Sequence, residues 1–174
     1  MEKIQKVEIR VHRGLIADLG DDEKRWMAAA IEAAKKAYAP YSRFQVGAVA
    51  VLEDGTLVSG SNQENAAYPS GLCAERTTLF AAGAQYPDLP VKALFLVALK
   101  DGEVQEKISP CGACRQVLLE TEQRYRRPMQ VWMCGRSEFC RLDSAESLLP
   151  LSFGSADLLG KHGIYNSLRL SKKS

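Results

Sequence analysis

Residues 91–99, VKALFLVAL, form an almost unbroken apolar run with a single lysine near its start. The run has the length of a strand and is far short of the roughly 18 apolar residues that would cross a membrane. A strand that is apolar on both faces must be covered on both sides, so a chain built around it needs a sheet with helices above and below. The flanking segments supply candidates for both roles. DDEKRWMAAAIEAAKKAY (21–38) reads as a helix capped by Asp21 or Asp22, with Trp26, Met27, Ala30, Ile31, Ala34 and Tyr38 along one face and Pro40 as its stop. FQVGAVAVLEDGTLVSGSN (44–62) reads as a hairpin turning at Asp54-Gly55.

Further along, CAERTTLFAAGAQ (73–85) and CGACRQVLLETEQ (111–123) read as helices, MQVWMCG (129–135) as a strand and SAESLLP (144–150) as a small helix. Residues 2–13 place Ile4, Val7, Ile9 and Val11 in imperfect alternation, which suggests an additional strand. Helices and strands alternate, so the expected fold is α/β with a mixed sheet. No repeat or linker interrupts the 174 residues, which are expected to form a single domain.

The chemistry lies in the cysteines. The chain has five, an odd number, and its first residues lack the apolar core of a signal peptide, so a cytoplasmic location is the default expectation. Cys111 and Cys114 stand in a C-x-x-C at one helix start, and Cys73 stands at another. Helix N-termini favour thiolate over thiol, and three thiolates suit one Zn²⁺. Three protein ligands leave a tetrahedral position for water, which is the catalytic rather than the structural arrangement. Cys134, Cys140, His12 and His162 are the remaining candidates for a fourth ligand; neither cysteine has a partner at ligand spacing, His12 lies in the amino-terminal segment, and each of the four reads rather as an ordinary buried or surface residue. A redox role for the C-x-x-C is the alternative reading.

Glu75, two positions beyond Cys73, is placed to relay protons without binding the metal. The competing reading is a first-turn carboxylate stabilised by the helix dipole. Arg76 and Arg115 follow the ligands closely and would moderate the net −1 charge of three thiolates and Zn²⁺. Net charge is +2, from 23 basic and 21 acidic residues, which gives no case for a nucleic-acid or membrane partner; RYRRP (124–128) is an isolated basic cluster.

A Cys or His followed by x-E, and then P-C-x-x-C, is the signature of zinc-dependent nucleobase deaminases. Four segments carry a closer resemblance: AYAPYSRFQVGAVAV (37–51), NQENAAYPSGLCAER (62–76), SPCGACRQ (109–116) and LLPLSF (148–153). In this order they resemble the homotetrameric cytidine deaminases over about residues 24–157, with residues 1–20 as an extension. That resemblance implies a three-layer α/β/α sandwich around a five-stranded mixed sheet, and hydrolysis of the 4-amino group of cytidine and deoxycytidine.

It also implies Cys73, Cys111 and Cys114 as ligands of one zinc per subunit and Glu75 as proton shuttle. Asn62 and Glu64 would bind the sugar hydroxyls, and Phe44 would wall the pyrimidine. Asn65, Tyr68 and backbone groups near Ala66 and Ala74 would complete the substrate contacts. In such a tetramer Tyr68 and Phe153 would reach a neighbouring subunit's pocket. The intact NQENAAY favours a plain ribonucleoside over another aminated heterocycle such as the nucleoside antibiotic blasticidin S. A non-catalytic structural-zinc module is the rival from another class, and it requires a fourth protein ligand.

Overall fold

The structure is a computed structural model that describes residues 2–159. Its organising element is the apolar run, which becomes β4 (Val91–Lys100), with Leu94, Phe95, Leu96, Val97 and Ala98 wholly buried. Antiparallel to it lies β2 (Phe44–Leu52), which turns at Asp54-Gly55 into β3 (Leu57–Ser61). Gly55 adopts φ +89°, a conformation glycine reaches without strain, and the Asp54 carboxylate accepts the Thr56 N–H at 2.9 Å. On the other side, β6 (Gln130–Cys134) runs parallel to β4, and β7 (Glu138–Leu142) pairs antiparallel with β6.

Two short strands enlarge the expected five to seven. These are β1 (His12–Leu15), at the edge beside β7, and the two-residue β5 (Glu103–Val104), paired with the end of β4. The spatial order is β1-β7-β6-β4-β2-β3. The amino-terminal strand therefore exists, but it begins at His12; residues 2–11 have no strand partner.

Alternation along β4 splits the interior into two cores. Leu94 and Leu96 join Ala48, Ala50, Leu52 and Val131 beneath α2 (Ala74–Gln85) and α3 (Gly112–Tyr125). Phe95 and Val97 join Val49, Val51, Trp132 and Cys134 beneath α1 (Asp21–Ala34). Phe95 stacks on Trp132 with ring centroids 5.0 Å apart and takes the edge of Trp26 at 5.4 Å. Helices thus cover both faces, as the doubly apolar strand requires. At Gly47 the α1–β2 contact closes completely, because a Cβ there would stand 1.9 Å from the Ala30 carbonyl oxygen.

Helix α1 departs from expectation at both ends. Its N-cap is Gly20, and Asp21 and Asp22 are helical residues in the first turn that complement the dipole rather than cap the backbone. The helix ends at Ala34, so Pro40 does not stop it, and Tyr38 leaves its face to pair its backbone with Asn62 and Glu64. That pairing binds the chain after α1 to the loop after β3, where the functional residues gather. The segment 144–150 forms a short 3₁₀ turn over Ala145–Leu148, and Ser155–Leu159 forms a helical turn, α4.

Candidate metal centre and catalytic cleft

Cys73 is the N-cap residue of α2 and Cys111 the N-cap residue of α3, while Cys114 lies in the first turn of α3. The two helix starts converge, so sulfurs separated by 38 positions between Cys73 and Cys111 come to 3.7 Å. All three sulfurs lie within 4.8 Å of one another. A tetrahedral zinc with Zn–S bonds of about 2.3 Å sets its sulfurs roughly 3.8 Å apart. The spacing therefore fits three thiolates on one Zn²⁺, and it is far longer than the roughly 2.05 Å of a disulfide. Among the described residues no fourth histidine, cysteine or carboxylate joins this group.

Other candidate ligands lie elsewhere. Cys134 is buried in the α1-side core, where burial pushes its thiol up to about 12. Cys140 sits on β7 beside a second cavity. His12 meets Asp143 at 2.8 Å on the exposed sheet edge. His162 falls outside the described residues.

Glu75 occupies the first turn of α2 and is 4% exposed. Burial raises its carboxyl pKa, and the negative charge of Cys73 adds to the effect. A carboxyl with a raised pKa beside a metal site is suited to accept a proton and give it back. The Cys73 thiol is shifted the other way, down to about 5, by a hydrogen bond from Cys114 and then by the Arg76 guanidinium. The same sharing raises Cys114. Arg76 donates through Nη2 to the Cys73 sulfur at 3.7 Å and reaches the Gly71 carbonyl at 3.5 Å. Arg115 does not share this contact. Its Nε donates to the Pro110 carbonyl at 3.0 Å and its Nη1 to the Leu148 carbonyl at 3.2 Å, bracing the loop that carries Cys111.

A cleft of about 460 Å³ opens beside the cluster, lined by Asn62, Glu64, Asn65, Tyr68, Cys73 and Arg76 among others. Its loop is tied at both ends. Gln63 and Leu72 exchange backbone hydrogen bonds at 2.9 Å, and the Glu64 N–H donates to the Tyr38 carbonyl at 2.8 Å. Within the loop Asn65 accepts the Ala67 N–H at 2.8 Å, an Asx turn that leaves Ala66 exposed. The Asn62 amide braces the start of β2, accepting the Val46 N–H at 2.7 Å and donating to the Phe44 carbonyl at 2.9 Å. Phe44 itself is half-buried at the head of β2, and Ala74 is buried as the first residue of α2.

Tyr68 is 78% exposed and meets Tyr41 edge-on at 6.4 Å. Phe153 is exposed and lies outside the cleft lining, its carbonyl accepting from Gln116 at 2.8 Å. Sequence reasoning overlooked Tyr41 and Ser42, which line the cleft and hold Glu64. The only signal was their position just before Phe44 in a motif already singled out.

A covered α/β sheet that gathers three cysteine sulfurs from two helix starts, with a buried carboxyl alongside, fits the ligand and proton-shuttle signature of the zinc-dependent deaminases. Comparison with known proteins narrows the class. The family model for the cytidine and deoxycytidylate deaminase zinc-binding region matches residues 21–127. A cytidine deaminase of Sporosarcina psychrophila is 39% identical over 137 residues, covering 79% of this chain and 95% of that protein. One from Halalkalibacterium halodurans is 44% identical over 99 residues, covering 57% of this chain and 71% of that protein. The crystal structure of cytidine deaminase from Burkholderia pseudomallei, 41% identical, matches with a TM-score of 0.65 over 75% of this chain and 98% of that one. The chain belongs to the cytidine and deoxycytidylate deaminase family.

Proposed function

We infer that this protein is a cytidine deaminase, a zinc-dependent hydrolase that converts cytidine and deoxycytidine to uridine and deoxyuridine with release of ammonia. The observation that carries the reading is the buried Glu75 carboxyl beside three sulfurs spaced for a tetrahedral ion. Bound by Cys73, Cys111 and Cys114, zinc supplies a Lewis acid that lowers the pKa of a water toward about 7.

The proton traffic falls to Glu75. Its carboxylate takes a proton from the attacking water and gives it to N3 of the pyrimidine as the C4–O bond forms. It then moves the remaining hydroxyl proton to the 4-amino nitrogen. The C4–N bond breaks, ammonia leaves and C4 becomes a carbonyl. Arg76, donating to the Cys73 sulfur, withdraws charge from the thiolate and keeps the centre electrophilic.

Asn62 and Glu64 bind the sugar hydroxyls, Phe44 walls the pyrimidine ring, and Asn65, Tyr68 and the backbones of Ala66 and Ala74 complete the pocket. Their share is orientation, which holds C4 against the water. An uncharged sugar suits an amide–carboxylate pair, and a free nucleoside needs no phosphate cradle. The active unit is a cytoplasmic homotetramer of single-domain subunits with one zinc each, in which Tyr68 and Phe153 serve a neighbour's site. The exposure of both aromatic side chains supports this arrangement.

The test is purified protein with cytidine and deoxycytidine, following ammonia release and zinc content, beside Glu75→Gln. Wild type is expected to hold one zinc per chain and release ammonia, while Glu75→Gln keeps the zinc and loses at least about 100-fold in kcat. Zinc-loaded wild type that converts neither nucleoside refutes the function. Full activity in Glu75→Gln refutes the role given to that carboxyl.

A further inference from the structure

The cleft carries a device that the zinc chemistry does not use. Glu64 is gripped from one side by the turn that leads into β2. Its Oε2 accepts the Tyr41 N–H at 2.9 Å and the Ser42 N–H at 3.3 Å, and its Oε1 accepts the Ser42 hydroxyl. The Ser42 oxygen in turn accepts the Phe44 N–H at 3.0 Å. One hydroxyl therefore bridges the carboxylate of the loop and the backbone of the strand that begins with Phe44. The turn is compact because Arg43 takes the left-handed conformation, φ 57°, and its N–H donates to the Ala39 carbonyl at 3.1 Å.

A carboxylate offers about four acceptor sites. Three of them are occupied by this turn, which leaves roughly one, pointing away from it, for a ligand. Without the Ser42 hydroxyl, Glu64 would keep only the two backbone donors on Oε2 and would be free to turn about its last torsion. The same donors hold its carboxyl below the usual range, with the Ser42 hydroxyl foremost, so the acceptor stays ionised.

We propose that Ser42 is the positioning residue for sugar recognition, fixing Glu64 so that its remaining acceptor site meets a single sugar hydroxyl. The inference rests on reading the cleft as a nucleoside site. Ser42 touches no reacting atom, so its removal acts on ground-state binding and scarcely on the chemical step.

The test is steady-state kinetics of zinc-loaded wild type, Ser42→Ala and Ser42→Thr with cytidine and with 2′,3′-dideoxycytidine, each variant also melted thermally. Ser42→Ala is expected to raise KM for cytidine about tenfold while kcat changes less than about threefold. With the dideoxy substrate, which lacks the 2′ and 3′ hydroxyls that this proposal assigns to Glu64 and keeps only the 5′ one, wild type and Ser42→Ala are expected to agree within about twofold. Ser42→Thr restores the cytidine KM because it returns the donor. An unchanged cytidine KM in Ser42→Ala overturns the proposal. So does an equal loss on both substrates, which marks a general structural defect and would be accompanied by a lowered melting temperature. Wild type inactive on cytidine and deoxycytidine alike refutes the functional reading, and this inference with it.

Discussion

Glu122 lies in the last turn and a half of α3, 4% exposed and remote from the cleft, and its removal should cost more stability than that of any surface carboxylate. Its Oε2 accepts the Met129 N–H at 2.9 Å and the Ala145 N–H at 2.7 Å, and its Oε1 accepts the Ser144 hydroxyl at 2.6 Å. Met129 and Ala145 are wholly buried, so in Glu122→Ala both amides lose their only acceptor among the described residues, and water cannot readily replace it. A stranded buried donor costs about 1–3 kcal/mol, so two put the loss near 4 kcal/mol before any cavity is counted. For a chain of this length that corresponds to a fall of about 8–16 °C in Tm. Glu122→Gln keeps one acceptor oxygen but turns an NH₂ toward the remaining donors, and should lose about half as much.

The assay is thermal unfolding of the zinc-loaded variants, followed by far-UV circular dichroism. Because the 145–148 turn also receives Arg115 through the Leu148 carbonyl, Glu122→Ala should loosen the loop of Cys111 and lose zinc faster to a chelator. A Glu122→Ala protein within about 1 kcal/mol of wild type would refute the reasoning, since it would mean that the two amides find other partners at little cost.

Gly47→Ala places a methyl group against the Ala30 carbonyl and the α1 backbone, and an expected loss of about 3 kcal/mol should appear as a lower unfolding midpoint in urea; an unchanged midpoint would contradict the close approach. Prolonged chelation should lower Tm, because three sulfurs within 4.8 Å lose the cation that would hold them together, and added Zn²⁺ should restore it. Cys140→Ala should retain one zinc per chain by elemental analysis, whereas Cys73→Ala should not; zinc loss in Cys140→Ala would place a ligand where the geometry puts none. Arg76→Gln removes a donor and a positive charge that both favour the Cys73 thiolate, so in zinc-free protein the thiol pKa rises from about 5 and alkylation near pH 6 slows; an unchanged rate would exclude Arg76 from the tuning.

The sequence by itself determined the elements whose signals are local. The run 91–99 demanded cover on both faces whatever lay around it, because each of its side-chain rows is apolar. Asp54-Gly55 specified a turn through its own side-chain acceptor and glycine's freedom at positive φ. Cys73 and the C-x-x-C were legible as candidate metal ligands, with Glu75 beside them as a carboxyl that does not bind the metal, since residue type and the C-x-x-C and C-x-E spacings are properties of a few adjacent residues.

The tertiary structure decided what depends on distant segments meeting. Nothing near Glu122 distinguishes it from Glu120, and only the arrival of residues 129 and 144–145 makes one a buried acceptor and leaves the other exposed. The edge pairing of His12–Leu15 with β7, and the grip of Tyr41 and Ser42 on Glu64, likewise join residues 22 to 129 positions apart. The convergence of two helix starts belongs to the same class. Residue types named the candidate zinc ligands, but the packing of α2 and α3 on one face of the sheet brought Cys73 within 3.7 Å of Cys111. Local sequence selects backbone conformation and chemical type; burial and long-range partnership arise only when the chain closes on itself.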